Sequence, residues 1–175
     1  MSTQLLDKMP GTPITVGTGS PTVALTFRNL ATTTYRQSAK YDLGAGPWPN
    51  EYKVRLQIVL GSAAAAGATV DVWIGYSASG TAGTDNAGGC SGADAAYSGC
   101  SGGTAAQSVL QLDRIGSLIF DVNILACADI GSFTPKNRYC YFVVRNGAAQ
   151  SMTNANDTDN IMTILPVNDR LEGAI

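Results

Sequence analysis

Two stretches of the chain alternate apolar and polar side chains with a period of two residues, and this alternation limits the fold more than any other feature. The apolar members of the first stretch are Tyr52, Val54, Leu56, Ile58 and Leu60. Those of the second stretch are Val70, Val72 and Ile74. Because successive side chains of a strand point to opposite faces of a sheet, each stretch predicts a strand with one buried face.

Strand signals continue along most of the chain. Further strands are expected over residues 22–27, 32–41, 109–115 and 118–124. Residues 126–131 are expected to connect two strands. The last strand is expected over residues 161–167, where Pro166 limits it to a sheet edge or a strand end, because proline cannot donate to a sheet ladder.

One segment predicts a strand in the interior of a sheet. Residues 139–144 read YCYFVV, which is apolar on both faces, and the strong turn signal Asn146-Gly147 follows. Together the segments indicate about seven to nine short antiparallel strands in two layers. The predicted fold is therefore all-β, an antiparallel β-sandwich of the jelly-roll or immunoglobulin-like type.

The sandwich is expected to form a single domain over residues 22–175. Residues 1–21 carry three prolines and three glycines and predict an extended N-terminal arm with one short strand at 14–16. Residues 77–106 predict a low-complexity loop insertion, because they contain no Val, Ile or Leu. Having almost nothing apolar to bury, this loop is expected to project away from the sandwich.

The insertion contains a short internal repeat headed by cysteines. Residues 89–96 and 99–106 match at most positions, and Cys90 and Cys100 occupy the same place in the two copies. A disulfide between them would close a short loop, although a flexible loop with free thiols fits the sequence equally well. Cys140 lies in the apolar run and is expected to be a buried free cysteine.

The residue inventory excludes several classes of function. The chain has no histidine, the residue most used for acid–base catalysis near neutral pH and for binding metals. Its 11 basic and 13 acidic residues form no basic run, so nucleic acid is not an expected partner. No apolar stretch approaches the ~20 residues of a membrane span, and residues 1–13 do not resemble a signal peptide. No cofactor or metal is expected.

The motifs that suggest chemistry are weak. Residues 99–103 match G-x-S-x-G, but the hydrolase motif needs a strand before it, a helix after it and a histidine base. Paired carboxylates could act without histidine, and Asp71, Asp113 and Asp121 are the candidates for a glycosidase of that kind. Residues 154–160 have the composition of a calcium loop without the spacing of an EF-hand. We therefore expect no enzymatic activity and no catalytic residue.

Several segments together resemble the virion proteins of tailed bacteriophages. The resemblance lies in residues 131–147 (GSFTPKNRYCYFVVRNG) and 161–169 (IMTILPVND), with support from 70–76 (VDVWIGY) and 112–118 (LDRIGSL). The nearest group is the capsid decoration, or cement, proteins. The resemblance implies a β-rich, non-enzymatic protein that binds the outer surface of a phage head and stabilises it, often as an oligomer.

This resemblance sets the expected partners and interfaces. The partners are the major capsid protein or other virion subunits, together with further copies of the chain, and the location is the virion surface after synthesis in the host cytoplasm. The expected contact residues are the arm anchors Leu5, Leu6, Met9 and Ile14 and the aromatic residues Trp48 and Trp73. A carbohydrate-binding sandwich, a neck or tail subunit and a histidine-free glycosidase remain alternatives.

Overall fold

Two six-stranded β-sheets pack face to face and form the body of the protein. The computed structural model describes residues 5–153 and 156–172, and the side chains of residues 11–153 and 156–168. The strands are β1 (Leu5–Pro10), β2 (Ile14–Gly17), β3 (Val23–Ala24), β4 (Tyr35–Gln37), β5 (Tyr41–Asp42), β6 (Glu51–Val59), β7 (Thr69–Ser77), β8 (Ala95–Ala96), β9 (Asp113–Ile119), β10 (Leu125–Phe133), β11 (Tyr139–Asn146) and β12 (Ile161–Glu172). The prediction of an all-β sandwich is confirmed.

Among the described residues, helical structure occurs only within the insertion and directly after it. The turns are a 3-10 turn at Ala87–Gly89, the helix α1 at Ala105–Ser108 and a 3-10 turn at Val109–Gln111. Thr104 caps α1, because its hydroxyl accepts from the Gln107 amide while the Gln107 side chain accepts from the Thr104 amide. Among the described residues, no helix has the length and apolar character that crossing a membrane requires.

The two sheets differ in strand order. Sheet A runs β10-β6-β12-β2-β3, with β1 paired to the distal part of β12. Sheet B runs β8-β4-β11-β7-β9, with β5 also paired to β11. All neighbouring strands are antiparallel except β2 and β3.

The core lies between the sheets and is built by the alternating strands. The five apolar residues of the first alternating stretch are each at most 3% exposed, as the sequence predicts. Val70, Val72 and Ile74 face them from β7 with no exposure. Tyr52 stacks on Phe133 with ring centroids 5.1 Å apart, which joins β6 to β10 in the core. Each fully buried aliphatic side chain contributes about 1.5–3 kcal/mol through removal from water.

The strands after the insertion do not have the predicted boundaries, and residues 109–111, expected to begin a strand, form a 3-10 turn. Strand β9 ends at Ile119, so Leu118 and Phe120 are buried but Val122 and Ile124 are exposed in a turn. The expected connector at 126–131 belongs to β10. Strand β10 gives no alternation, because it lies at the edge of sheet A and most of its residues are exposed.

Strand β12 is a central strand with Pro166 in its interior, which corrects the expectation that this proline limits the strand to a sheet edge or a strand end. It lies between β6 and β2. Its pairing with β6 includes Pro166, which lies opposite Tyr52. On the other side β2 ends its pairing at Ile164 and β1 begins at Val167. Pro166 therefore sits in the gap between two partner strands, where its carbonyl accepts from the Gly11 amide and a donor is not required.

The arm also differs from the expectation. Residues 14–17 do form the expected strand, but it pairs with β12 inside sheet A. Ile14 is only 8% exposed and belongs to the core, so it is not a free anchor for a partner. What extends beyond the sandwich is β1, and it pairs with the protein's own C-terminal strand.

Candidate interaction surfaces

The insertion folds back over the outer face of sheet B, which corrects the expectation that it projects outward. Every second residue of β11 faces outward, and Tyr141 and Val143 are fully buried there. Together with Cys90, Tyr97, Val109 and Leu112 they form a second hydrophobic cluster outside the main core. Strand β8 of the insertion pairs with β4. The centre of sheet B is therefore covered on both faces.

Asp94 anchors the middle of the insertion to the sandwich. Its carboxylate accepts hydrogen bonds from the Thr26 amide at 3.0 Å and from the Arg36 Nε at 2.7 Å, and the Thr26 hydroxyl donates to it as well. Burial alone would raise the pKa of Asp94, but the hydrogen bonds from Arg36 and Thr26 outweigh it and the pKa is lowered. One aspartate thus joins the insertion to two separate segments of the sandwich.

We expect Asp94→Asn to lower the free energy of unfolding by about 1–2 kcal/mol at neutral pH, because charge-assisted hydrogen bonds are lost. A carboxyl whose pKa is lowered by folding adds stability above its unfolded pKa of about 3.9 and loses it as the pH falls through the folded value. The difference between wild type and variant should therefore shrink below about pH 4. Urea unfolding across pH measures it. Asp121→Asn, at an exposed residue of the turn after β9, is the control, and an equal loss in both variants would contradict the role of Asp94.

Lys40 holds the beginning of the insertion. Its ammonium donates to the Ser77 hydroxyl at 3.0 Å and to the carbonyls of Ser79, Thr81 and Thr84 at 2.7, 2.8 and 3.1 Å. Residues 77–84 therefore wrap around one cation. Since a lysine ammonium has three protons, these four acceptors share its donors.

Two tyrosines bind the middle of the insertion through their hydroxyls. The Tyr97 hydroxyl donates to the Gly88 carbonyl at 2.6 Å, and the Tyr141 hydroxyl donates to the Ala87 carbonyl at 2.9 Å. Burial raises the pKa of both phenols. The Tyr141 bond attaches the insertion to β11 through a backbone carbonyl, whereas the Tyr97 bond lies within the insertion and fixes its own fold.

The two tryptophans expected at an interface lie in different places. Trp73 is half-buried on the outer face of sheet B, where its ring lies 6.2 Å from that of Tyr35 beside the insertion. Trp48 is half-buried in the loop before β6, and its indole nitrogen donates to the Gly44 carbonyl at 3.0 Å. The structure therefore does not bring the two residues together on one aromatic platform.

The cysteines are free thiols in the structure. Cys90 is buried in the second cluster, and burial raises its pKa to about 12. Gly89, next to it, approaches the Cys100 backbone so closely that an added Cβ would lie 2.6 Å from the Cys100 Cα. The disulfide between Cys90 and Cys100 stays a prediction. Cys140 is 1% exposed, as expected for a core cysteine.

The carboxylates proposed for glycosidase chemistry have other partners or lie in the open. Asp71 is 6% exposed and pairs with Arg114 at 3.0 Å and Arg145 at 3.5 Å, and the Ser117 hydroxyl also donates to it. Asp121 is exposed in the turn after β9. Within the described ranges, no three Cys, Asp or Glu side chains gather where they could hold a metal ion. The expectation of no enzymatic activity stays a prediction.

Both ends of the described chain meet in a two-stranded ribbon beyond the sandwich. Strand β1 pairs with β12 from Pro10 opposite Val167 to Leu5 opposite Glu172. On its other side β12 is paired with β6 only as far as Val167. Among the described residues, the terminal ribbon, residues 5–10 and 168–172, therefore consists of two strands. The side chains of the predicted anchors Leu5, Leu6 and Met9 lie outside the described residues.

An exposed apolar turn is a surface that sequence analysis misses. The turn between β9 and β10 and the two strand ends beside it expose large apolar side chains at Ile119, Val122, Ile124 and Leu125, each at least 50% exposed. The sequence shows these residues as apolar side chains at strand spacing. That spacing predicts a buried strand, whereas the structure exposes them in a turn. Groups of exposed apolar residues of this kind mark interaction sites.

Comparison of the chain with family models, with curated proteins and with solved structures finds no match in any of the three. The function therefore has to be argued from the surfaces themselves.

Proposed function

We propose that this protein is a non-enzymatic virion subunit of a tailed bacteriophage, and that it binds the outer surface of the head as a decoration protein. The terminal ribbon is the observation that carries the proposal. An isolated two-stranded ribbon is at best marginally stable in water. A ribbon that extends beyond the sandwich gains stability when it packs against another protein. The shell of a phage head presents the same binding site for such a ribbon many times.

The strand order supports the finer assignment of the sandwich as a jelly roll. If β1 and β2 count as the first strand and β4 and β5 as the second, and the two-residue strands β3 and β8 at the sheet ends are left out, sheet A has the order 6-3-8-1 and sheet B the order 2-7-4-5. These orders correspond to the two interleaved Greek keys of an eight-stranded jelly roll. Jelly rolls occur in viral capsid proteins and also in lectins, so this support is by analogy of fold.

The surfaces favour protein contacts over sugar binding. Carbohydrate sites commonly use the open face of an aromatic ring, whereas Trp73 packs beside the insertion and Trp48 is tied to its own loop. The apolar turn after β9 offers aliphatic side chains, which suit a protein surface better than a sugar. A neck or tail subunit would use the same kind of contact and is the second candidate.

Removing residues 1–10 is expected to reduce binding to phage heads at least about tenfold, equivalent to about 1.4 kcal/mol, because it deletes one strand of the ribbon. The sandwich should remain folded, since β1 pairs only with β12 among the described strands. Co-sedimentation with heads assembled from the capsid protein of the same genome measures binding, and thermal unfolding checks the fold.

A chain shortened by residues 1–4 keeps β1 and is the matched control, expected to bind as the full chain does. Equal binding by both shortened chains would contradict a role for the ribbon. If the full chain sediments with tails and not with heads, the decoration proposal fails and the tail subunit takes its place.

A further inference from the structure

Strand β10 presents a long free edge. It is the last strand of sheet A, and its nine residues pair with β6 alone among the described strands. Cys127, Ala128 and Asp129 are exposed one after the other, so both faces of the strand are open there. Its outer backbone groups are available to another strand, because a sheet edge carries unpaired donors and acceptors.

The C-terminal half of β10, residues 130–133, is closed to another strand because β9 of the opposite sheet crosses it there. An added Cβ on Gly116 would lie 1.8 Å from the Ile130 carbonyl oxygen, and one on Gly131 would lie 2.4 Å from the Ile115 carbonyl oxygen. The two backbones therefore cross in direct contact. The register of β10 against β6 also shifts between Asp129 and Gly131. The part of the edge that remains free is residues 125–129.

The free edge lacks the features with which proteins protect sheet edges. Such edges are usually very short or carry charges or proline. At the other ends of the two sheets, β3 and β8 have two residues each, and β9 begins with Asp113-Arg114. Residues 125–129 read LACAD, with one charge at the end. The unprotected edge also continues directly into the exposed apolar turn.

We propose that residues 125–129 form a two-fold interface in which β10 pairs antiparallel with β10 of a second copy. A two-fold axis places one residue opposite itself, and the centre of the free edge is Cys127. Ala126 then lies opposite the partner's Ala128, and Leu125 opposite the partner's Asp129. The two like charges stay at opposite ends, so the repulsion between directly opposed aspartates is avoided.

The exposed apolar turn extends this interface. Ile124 and Val122 precede the paired segment and can lie against the partner copy, which removes apolar surface from water. Five paired residues and one turn per copy give an area at or below the low end of about 1,200–2,000 Å² that stable complexes bury. The dimer should therefore be weak, with a dissociation constant in the range of about 10 μM. This inference concerns the free protein and does not depend on binding to a phage head.

Sedimentation equilibrium of the purified chain tests the interface, and a dimer is expected at about 100 μM protein. Ala128→Lys adds a charge within the paired segment and should weaken the dimer at least about tenfold. Ser132→Glu, on the closed half of the same strand and opposite Lys53, also adds one charge; it is the control and should leave the dimer unchanged. Circular dichroism should show that both variants fold, because both residues are exposed.

Oxidation tests the register. Opposed residues of antiparallel strands have Cα atoms about 4.5–5.5 Å apart, within the range of about 4.4–6.8 Å that disulfides span. Diamide takes two hydrogen atoms from two Cys127 thiols as the S–S bond forms, so a covalent dimer is expected under non-reducing conditions. Cys127→Ser should abolish it. A chain that stays monomeric, a dimer that Ala128→Lys does not weaken, or a dimer that Cys127 does not cross-link would each overturn the proposal.

Discussion

Replacing Gly116 by alanine is expected to lower the free energy of unfolding by about 3 kcal/mol or more. The added methyl group would lie 1.8 Å from the Ile130 carbonyl oxygen, where no Cβ can be accommodated. The obstacle is backbone, so it cannot rotate away as a flexible side chain would. Strands β9 and β10 would have to separate at the corner where the two sheets meet, which disturbs the packing of both.

Chemical denaturation measures this loss, and in thermal unfolding it corresponds to a midpoint lower by about 6–12 °C for a chain of this size. Gly61→Ala is the matched control, because a Cβ there would lie 3.6 Å from its nearest neighbour, the Ser151 carbonyl oxygen. That change should be neutral or slightly stabilising. Equal midpoints for the two variants would show that β9 and β10 do not cross in contact.

The interior strands could be predicted from the sequence because their environment is uniform along their length. Strand β6 has the core on one face and open surface on the other, so burial alternates with the residue number. Strand β11 is apolar throughout because the core lies on one side and the insertion on the other. In both strands the pattern of apolar and polar residues therefore corresponds to which faces are buried.

The insertion could not be predicted because its attachment does not depend on an apolar pattern. It is held by a few polar side chains, Asp94 within it and Lys40 and Gln37 from the sandwich, that bind backbone groups. Tyr97 and Cys90 are its buried members in the second cluster. A composition of glycine, alanine and serine is equally compatible with a free loop, so only the three-dimensional arrangement distinguishes the two.

The N-terminal segment was predicted in part. Residues 1–21 were predicted to form an extended arm with one short strand, but β1 and β2 both pair with β12, a partner more than a hundred residues away. Register between such distant segments leaves no local signal. The free edge of β10 was missed for a related reason, since a strand exposed on both faces needs no apolar residues and resembles a connector.

Replacing Lys40 by methionine is expected to lower the free energy of unfolding by about 2–3 kcal/mol and to release residues 77–84 from the sandwich. The change removes a charged donor from three carbonyls and a hydroxyl that no longer have a common partner. Part of the loss is compensated by water, because the carbonyls of Thr81 and Thr84 belong to exposed residues. Amide hydrogen exchange should accelerate in this segment before it does so in the core strands.

Two further variants separate the geometry of this site from its charge. Lys53→Met removes a positive charge from the exposed side of β6 and should change the stability by less than about 0.5 kcal/mol. Lys40→Arg keeps the charge, but a planar guanidinium cannot direct its donors into a cage built around a compact ammonium. Its stability should therefore fall close to that of Lys40→Met. If Lys40→Arg is as stable as the wild type, the four acceptors around Lys40 stabilise any positive charge equally well. Their convergence on one nitrogen then makes no separate contribution to the stability.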